Sequence, residues 1–244
     1  MGINVSTTKK TNYFYIIEGR LKTPASKDNP NAVNRTGTVG DKEYNKWELN
    51  IDSLDGMITN VFIKDQDFGR ILNIIIEDGD EHMTLQTSLE SNYASDFLRK
   101  AMNIDYTKKV ELRSYSLETE SGKTRSGFSI KQDGEKITNY YYNPVTKENV
   151  NGMPDPEKDG RHMDKDDWKM YFIKVRKFLT TMLDEELKQK IKEAQPLYVP
   201  DSDTEDAIHD TLAEEINKEA KELMNDNPKR YPDADNYEQD DLPF

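Results

Sequence analysis

The pattern of apolar and polar positions changes period three times along this chain. Residues 13–22, Tyr-Phe-Tyr-Ile-Ile-Glu-Gly-Arg-Leu-Lys, are rich in β-formers and predict a strand. Residues 23–41 hold Pro24, Pro30, Gly37, Gly40 and several Asn, which predict a long polar loop. Strand patterns resume at Lys42–Ile51, Met57–Lys64 and Arg70–Glu77, and Asp78-Gly79 turns the chain into Met83–Ser88. Ile71, Leu72, Ile74, Ile75 and Ile76 form a nearly continuous apolar run, the pattern of a strand covered on both faces.

Residues 92–102 then take helical spacing. Ala94, Phe97, Leu98 and Ala101 fall on one face, and Ser91 can cap the start. Alternation returns at Lys109–Tyr115, where Val110 and Leu112 point one way and Glu111, Arg113 and Tyr115 the other. It continues through Phe128 and Ile130, a turn at Asp133-Gly134 and a strand over Lys136–Tyr142. Pro144, Gly152, Pro154, Pro156 and Gly160 make residues 143–160 irregular. Trp168, Phe172, Val175, Leu179 and Met182 then mark an amphipathic helix. A second helical piece starts near Asp184 and ends before Pro196. A thin apolar stripe, Ile208 to Leu223, fits a helix over 204–225, and residues 226–244 read as disordered.

Charge sharpens this picture. The net charge is −13, but residues 201–244 hold 15 acidic against 4 basic residues and so carry −11 of it. Residues 1–50 and 99–147 are locally basic, at +3 and +4, while 51–98 stands at −8. Basic stretches of this kind can follow phosphates, and an acidic terminal arm marks an interaction tail. The chain has no cysteine, which excludes disulfides and thiolate metal sites and fits a reducing cytoplasm. Met1–Lys10 shows no secretory signal, and no apolar run is long enough for a membrane helix. His82, His162 and His209 lack metal spacing. The acidic groups Asp65/Asp67, Asp78/Asp80 and Asp164/Asp166/Asp167 fit turns and a helix N-terminus better than a magnesium site. Ser121-Gly122-Lys123-Thr124 has Leu117 where a phosphate loop needs its first glycine, and reads as a basic hairpin tip. No catalytic motif is evident, so no enzyme activity, cofactor or metal is expected.

The C-terminus is the most specific signal. Asp240-Asp241-Leu242-Pro243-Phe244 places two acids before a proline-stiffened aromatic end, a compact docking peptide for a basic-rimmed hydrophobic pocket. This ending resembles the acidic tails of single-stranded-DNA-binding proteins of bacteria and their phages. The chain lacks the Gly/Pro/Gln-rich linker of the bacterial form and has extra helices before the tail, so the resemblance favours a divergent phage type. It implies an OB fold. The strand order, with a helix near residue 92, fits that barrel and also other small barrels and sandwiches.

The expected fold is mainly β with added helices: an OB-fold-like β-barrel over 1–160, a helical extension at 161–200 and a tail at 201–244. The expected function is binding and protection of single-stranded DNA in replication, recombination or repair, in the cytoplasm. The tail would recruit a polymerase, helicase, primase, recombinase or nuclease through Asp240, Asp241, Leu242, Pro243 and Phe244. Single-strand sites need cations for phosphates and aromatic faces for bases. The candidates are Tyr13, Tyr15, Arg20, Lys22, Lys27, Arg35, Lys42, Tyr44, Lys46, Trp47, Arg70, Arg113, Tyr115, Lys123 and Arg125. Two other readings stay open: a protein-binding adaptor built on the same barrel, and a metal-dependent nuclease.

Overall fold

The computed structural model describes residues 11–195 apart from 40–41, 67–68, 120–121, 123 and 158–161. Strands β1 (Thr11–Ile17), β2 (Arg20–Pro24), β3 (Val33–Val39), β4 (Lys42–Ile51), β5 (Leu54–Gln66), β6 (Gly69–Asp78) and β7 (Glu81–Ser88) precede helix α1 (Asn92–Ala101). Strands β8 (Val110–Glu118), β9 (Thr124–Gln132) and β10 (Glu135–Lys136) follow, then a small hairpin of β11 (Tyr142–Asn143) and β12 (Glu148–Asn149). Helices α2 (Lys165–Met182) and α3 (Lys188–Ala194) are joined through one π-helical turn, Leu183–Leu187. Ten strands form one sheet in the order β10-β9-β8-β5-β6-β7-β1-β2-β4-β3. Every pairing is antiparallel except that of β1 with β7. The protein is mainly β with C-terminal helices, and the sheet is open, since β10 and β3 do not pair with each other.

One strand joins the two halves of this sheet. Leu54–Gly56 of β5 pair with β8, while Met57–Gln66 pair with β6. At the change of partner the backbones crowd. A Cβ on Gly56 would lie 2.6 Å from the Glu77 carbonyl oxygen, so glycine is required there. A bulge follows between Ile58 and Asn60. The Gln195 side chain, at the end of α3, donates to the Ile58 carbonyl at 2.9 Å. The C-terminal helices are thereby tied to the place where β5 is irregular.

The core lies on one face of the sheet. Leu72, Ile74, Ile76, Leu85, Phe14 and Leu21 point into it from the strands. Phe97 and Ala101 enter from α1, and Trp168, Val175 and Leu179 from α2. Ser91 caps α1, its side chain accepting from the Ala94 N–H, and Asp164 caps α2 through a reciprocal bond with Asp167. Phe128 on β9 shows how α1 docks. Asp96 accepts from the Phe128 N–H at 2.6 Å, while Lys100 donates to the Phe128 carbonyl at 2.6 Å and to Asp96 at 2.7 Å. One i,i+4 pair thus satisfies strand-edge groups that would otherwise lack a partner.

Several expectations need correction. Residues 33–39, read as loop, form β3, because Glu48 and Tyr44 on β4 give that stretch a partner. Residues 13–22 are two strands, reversed at Glu18-Gly19, whose φ values of 53° and 79° suit a two-residue hairpin turn. The strand expected over Lys136–Tyr142 stops at Lys136. Beyond it Tyr141 turns into the core, edge-on to Phe178 of α2 at 5.3 Å, and burial pushes its phenol up to about 12. Residues 204–244 lie outside the described residues.

The clasp on Phe128 gives a stability prediction. Asp96→Ala strips a hydrogen bond from a buried amide and leaves Lys100, itself buried, without its carboxylate. Urea unfolding should show a loss of about 2–4 kcal/mol. An unchanged midpoint would show that the clasp contributes nothing.

Candidate functional site

The face of the sheet opposite the core carries Tyr13, Tyr15, Lys22, Arg35, Tyr44 and Lys46 of the predicted site residues. Tyr15 on β1 stands directly opposite Lys22 on β2. Lys22 pairs with Asn50 of β4, which brings Glu48, two residues along, onto the same face. Glu48 pairs with Val33 of β3, which brings Arg35 there as well. Four side chains from four strands therefore converge.

Glu48 is the hub, and sequence reasoning missed it. Tyr15 donates to its carboxylate at 2.9 Å and Lys22 at 3.2 Å. Arg35 donates from Nε at 3.0 Å and from its terminal nitrogen at 2.7 Å. The Arg35 guanidinium also lies 5.0 Å from the centre of the Tyr44 ring. Glu48 is only 2% exposed. Burial would raise its pKa, but the bonds from Arg35, Tyr15 and Lys22 outweigh burial and hold the carboxyl below the ordinary range. Burial, with the Glu48 charge beside it, pushes the Tyr15 phenol well up. Tyr15, Lys22, Arg35 and Tyr44 are thus brought together, but around an internal carboxylate. No sequence spacing signals this, since the partners come from separate strands.

The same face continues across β1, β7, β6 and β5. Tyr13 is opposite Thr84, Thr84 opposite Ile75, and Ile75 opposite Asn60. In the next row Gln86, Asn73 and Phe62 stand side by side, and the Gln86 amide donates to Asn73 at 2.9 Å. Tyr13, Phe62, Ile71 and Ile75 are half-buried and stand outside the core cluster. Burial pushes the Tyr13 phenol up, so it is neutral at pH 7. Apart from Tyr13, the residues of this strip of aromatic and aliphatic surface beside side-chain amides were missed in the sequence. Its one sequence signal was the Ile71–Ile76 run, in which Ile71 and Ile75 are the positions turned away from the core.

The remaining candidates are dispersed. Trp47 is half-buried and lies on the other face from its neighbour Glu48, so it does not join Tyr13 and Tyr15. Lys46 shares the Glu48 face. Arg70 pairs with Asp65 at 3.1 Å where β5 and β6 meet. Arg113 pairs with Glu111. Tyr115 lies opposite Gly127, where burial and then the Asp96 charge raise its pKa. Arg20, Lys27 and Arg125 are exposed. The Lys42 side chain, Lys123 and Asp240–Phe244 lie outside the described residues.

Among the described residues no group of three or more His, Asp or Glu side chains is placed to hold a metal ion. No helix among them is long and apolar enough to cross a membrane. Comparison with protein-family models, curated proteins and solved structures finds no match.

Glu48 makes stability depend on pH. A carboxyl whose folded pKa is depressed adds stability above its unfolded pKa, about 4.3, and loses it as pH falls through the folded value. Glu48→Gln leaves Arg35 and Lys22 without a counter-charge, and should cost about 3 kcal/mol at pH 7. The gap between wild type and variant, read by urea unfolding, should close below about pH 4. A gap that persists unchanged at pH 3 would rule out the charge as its cause.

Proposed function

We propose that this protein binds single-stranded DNA on the sheet face opposite the core, and that its C-terminal pentad recruits replication, recombination or repair proteins. The observation that carries this reading is Asp240-Asp241-Leu242-Pro243-Phe244, with its resemblance to the tails of single-stranded-DNA-binding proteins.

The strand arrangement supports an OB-type barrel as the scaffold. An OB fold is a five-stranded, partly open Greek-key barrel that binds on its second and third strands. Here β5, β6 and β7 run consecutively, α1 follows, and β8 returns to pair with the start of β5. The fifth place falls to β1, from the other end of the chain. It lies beside β7, and its turn into β2 reaches β8, where Ser114 donates to the Gly19 carbonyl at 2.8 Å. That contact bridges the opening. The second and third strands are then β6 and β7, which carry Ile71, Ile75, Asn73 and Gln86, with Phe62 and Tyr13 on either side.

The chemistry of that strip suits bases. Half-exposed rings offer sequence-tolerant stacking, and the partly exposed amides of Asn60 and Gln86 offer hydrogen bonds to base edges, while Asn73 is buried. The cations are less available than composition suggests. Lys22, Arg35, Arg70 and Arg113 are engaged with carboxylates of the chain itself. Phosphate contact falls to exposed groups such as Arg20 and Lys27.

Titration of labelled oligo-dT at two salt concentrations tests the reading. Binding should exceed that to duplex of the same length. Phe62→Ala and Tyr13→Ala should each weaken it by about 1–3 kcal/mol, while Trp47→Phe, on the other face, should leave it nearly unchanged. Absence of oligo-dT binding at low salt would end the proposal.

The tail has two separable jobs. Removing residues 236–244 deletes acids that compete with DNA at high effective concentration, so single-strand affinity should rise, most of all at low salt. Phe244→Ala keeps those acids and should barely change DNA affinity, yet should abolish pull-down of purified replication proteins that the intact tail captures. If Phe244→Ala retains them, the docking-peptide argument fails.

A further inference from the structure

The last strand in the sheet order, β3, is paired with β4 along one side only among the described residues. Exposed edge strands are normally blunted by Lys, Pro or a bulge. Val33–Val39 reads Val-Asn-Arg-Thr-Gly-Thr-Val, with no Lys and no Pro, and its register with β4 runs without a shift. Its one charged side chain, Arg35, is drawn onto the sheet face and paired with Glu48. Val33 is 49% exposed.

The strand is also complementary to itself. Laid antiparallel against a copy about Thr36, it places Asn34 opposite Thr38 and Thr36 opposite Thr36. Arg35 meets Gly37 rather than another Arg35, so no like charges oppose. β-branched pairs directly opposite each other are favourable, and a two-fold interface demands such self-matching.

We propose that a second copy of this chain docks on β3, joining the two sheets edge to edge through antiparallel pairing centred on Thr36. The two-fold axis stands perpendicular to the sheet, as in any antiparallel pair. The faces bearing Tyr13 and Phe62 then lie on the same side in both copies. The pairing does not depend on the nucleic-acid reading. If both hold, one strand of DNA can cross from one copy to the next.

The experiment uses the full chain and needs no DNA. Sedimentation equilibrium should give a dimer for the wild type. Thr36→Lys or Thr36→Glu sets like charges opposite each other at the axis, and each variant should sediment as a monomer with an unchanged circular-dichroism spectrum. An equimolar mixture of the two should restore the dimer. The chain has no cysteine, so single substitutions report the register. Thr36→Cys should form a disulfide-linked dimer under mild oxidant. Thr38→Cys should not, because its copy lies four residues away along the strand, about 13 Å. A monomeric wild type, charge variants that remain dimers, a mixture that stays monomeric, or cross-linking at 38 rather than 36 would each overturn the proposal.

Discussion

The sheet depends on β5 changing partners at Gly56. Before that residue the strand belongs with β8, and after it with β6. The change demands that the backbones of β5 and β6 approach more closely than any side chain allows, since a Cβ would sit 2.6 Å from a carbonyl oxygen of β6. Strand twist accumulates across a sheet, and a bend of this kind turns a flat ladder into a curved one. The curvature brings the β1–β2 turn against Ser114 of β8. Helices α1, α2 and α3 pack their buried residues against the core face of that sheet.

The elements legible in the sequence were those fixed by local chemistry. Ser91 with the Ala94–Ala101 stripe located α1 to within a residue, because cap and apolar face are both encoded within one turn of their neighbours. The stripe from Trp168 to Leu179 located α2, although Tyr171 takes the buried place expected of Phe172. What could not be read was set by distant partners. β3 has a loop-like composition, and only Glu48 and Tyr44 across the hairpin make it a strand. The parallel contact of β1 with β7 joins segments some seventy residues apart, and no local pattern encodes it.

Tyr13, Tyr15, Lys22, Arg35 and Tyr44 share a face: alternation sets Tyr13 with Tyr15 along β1, and the register of separate strands brings the others beside them. Yet counting cations overstated what they can offer a ligand. A buried carboxylate exacts a large desolvation cost unless several donors surround it, so Glu48 draws in Tyr15, Lys22 and Arg35 together. A cation committed in this way is structural, since releasing it would strand Glu48. Under the proposed function, binding would pass to groups that composition does not advertise: a phenylalanine, two isoleucines and the amides of Asn60 and Gln86, spread over β5, β6 and β7.

That redistribution bears on how such a face would hold a flexible, charged polymer. Phosphate attraction is long-range and weakens with salt, whereas stacking on Phe62 or Tyr13 acts only at contact and is nearly indifferent to it. Lys22 and Arg35 share one carboxylate, so their cluster keeps a single positive charge, held beside Glu48 rather than offered outward. Under the proposed function, an acidic tail would compete with DNA chiefly at exposed residues such as Arg20 and Lys27. On that reading, tail and bases would contend for different parts of the surface. The protein would keep its strand while the tail is engaged elsewhere, because the contacts that hold bases are not the contacts that attract acids.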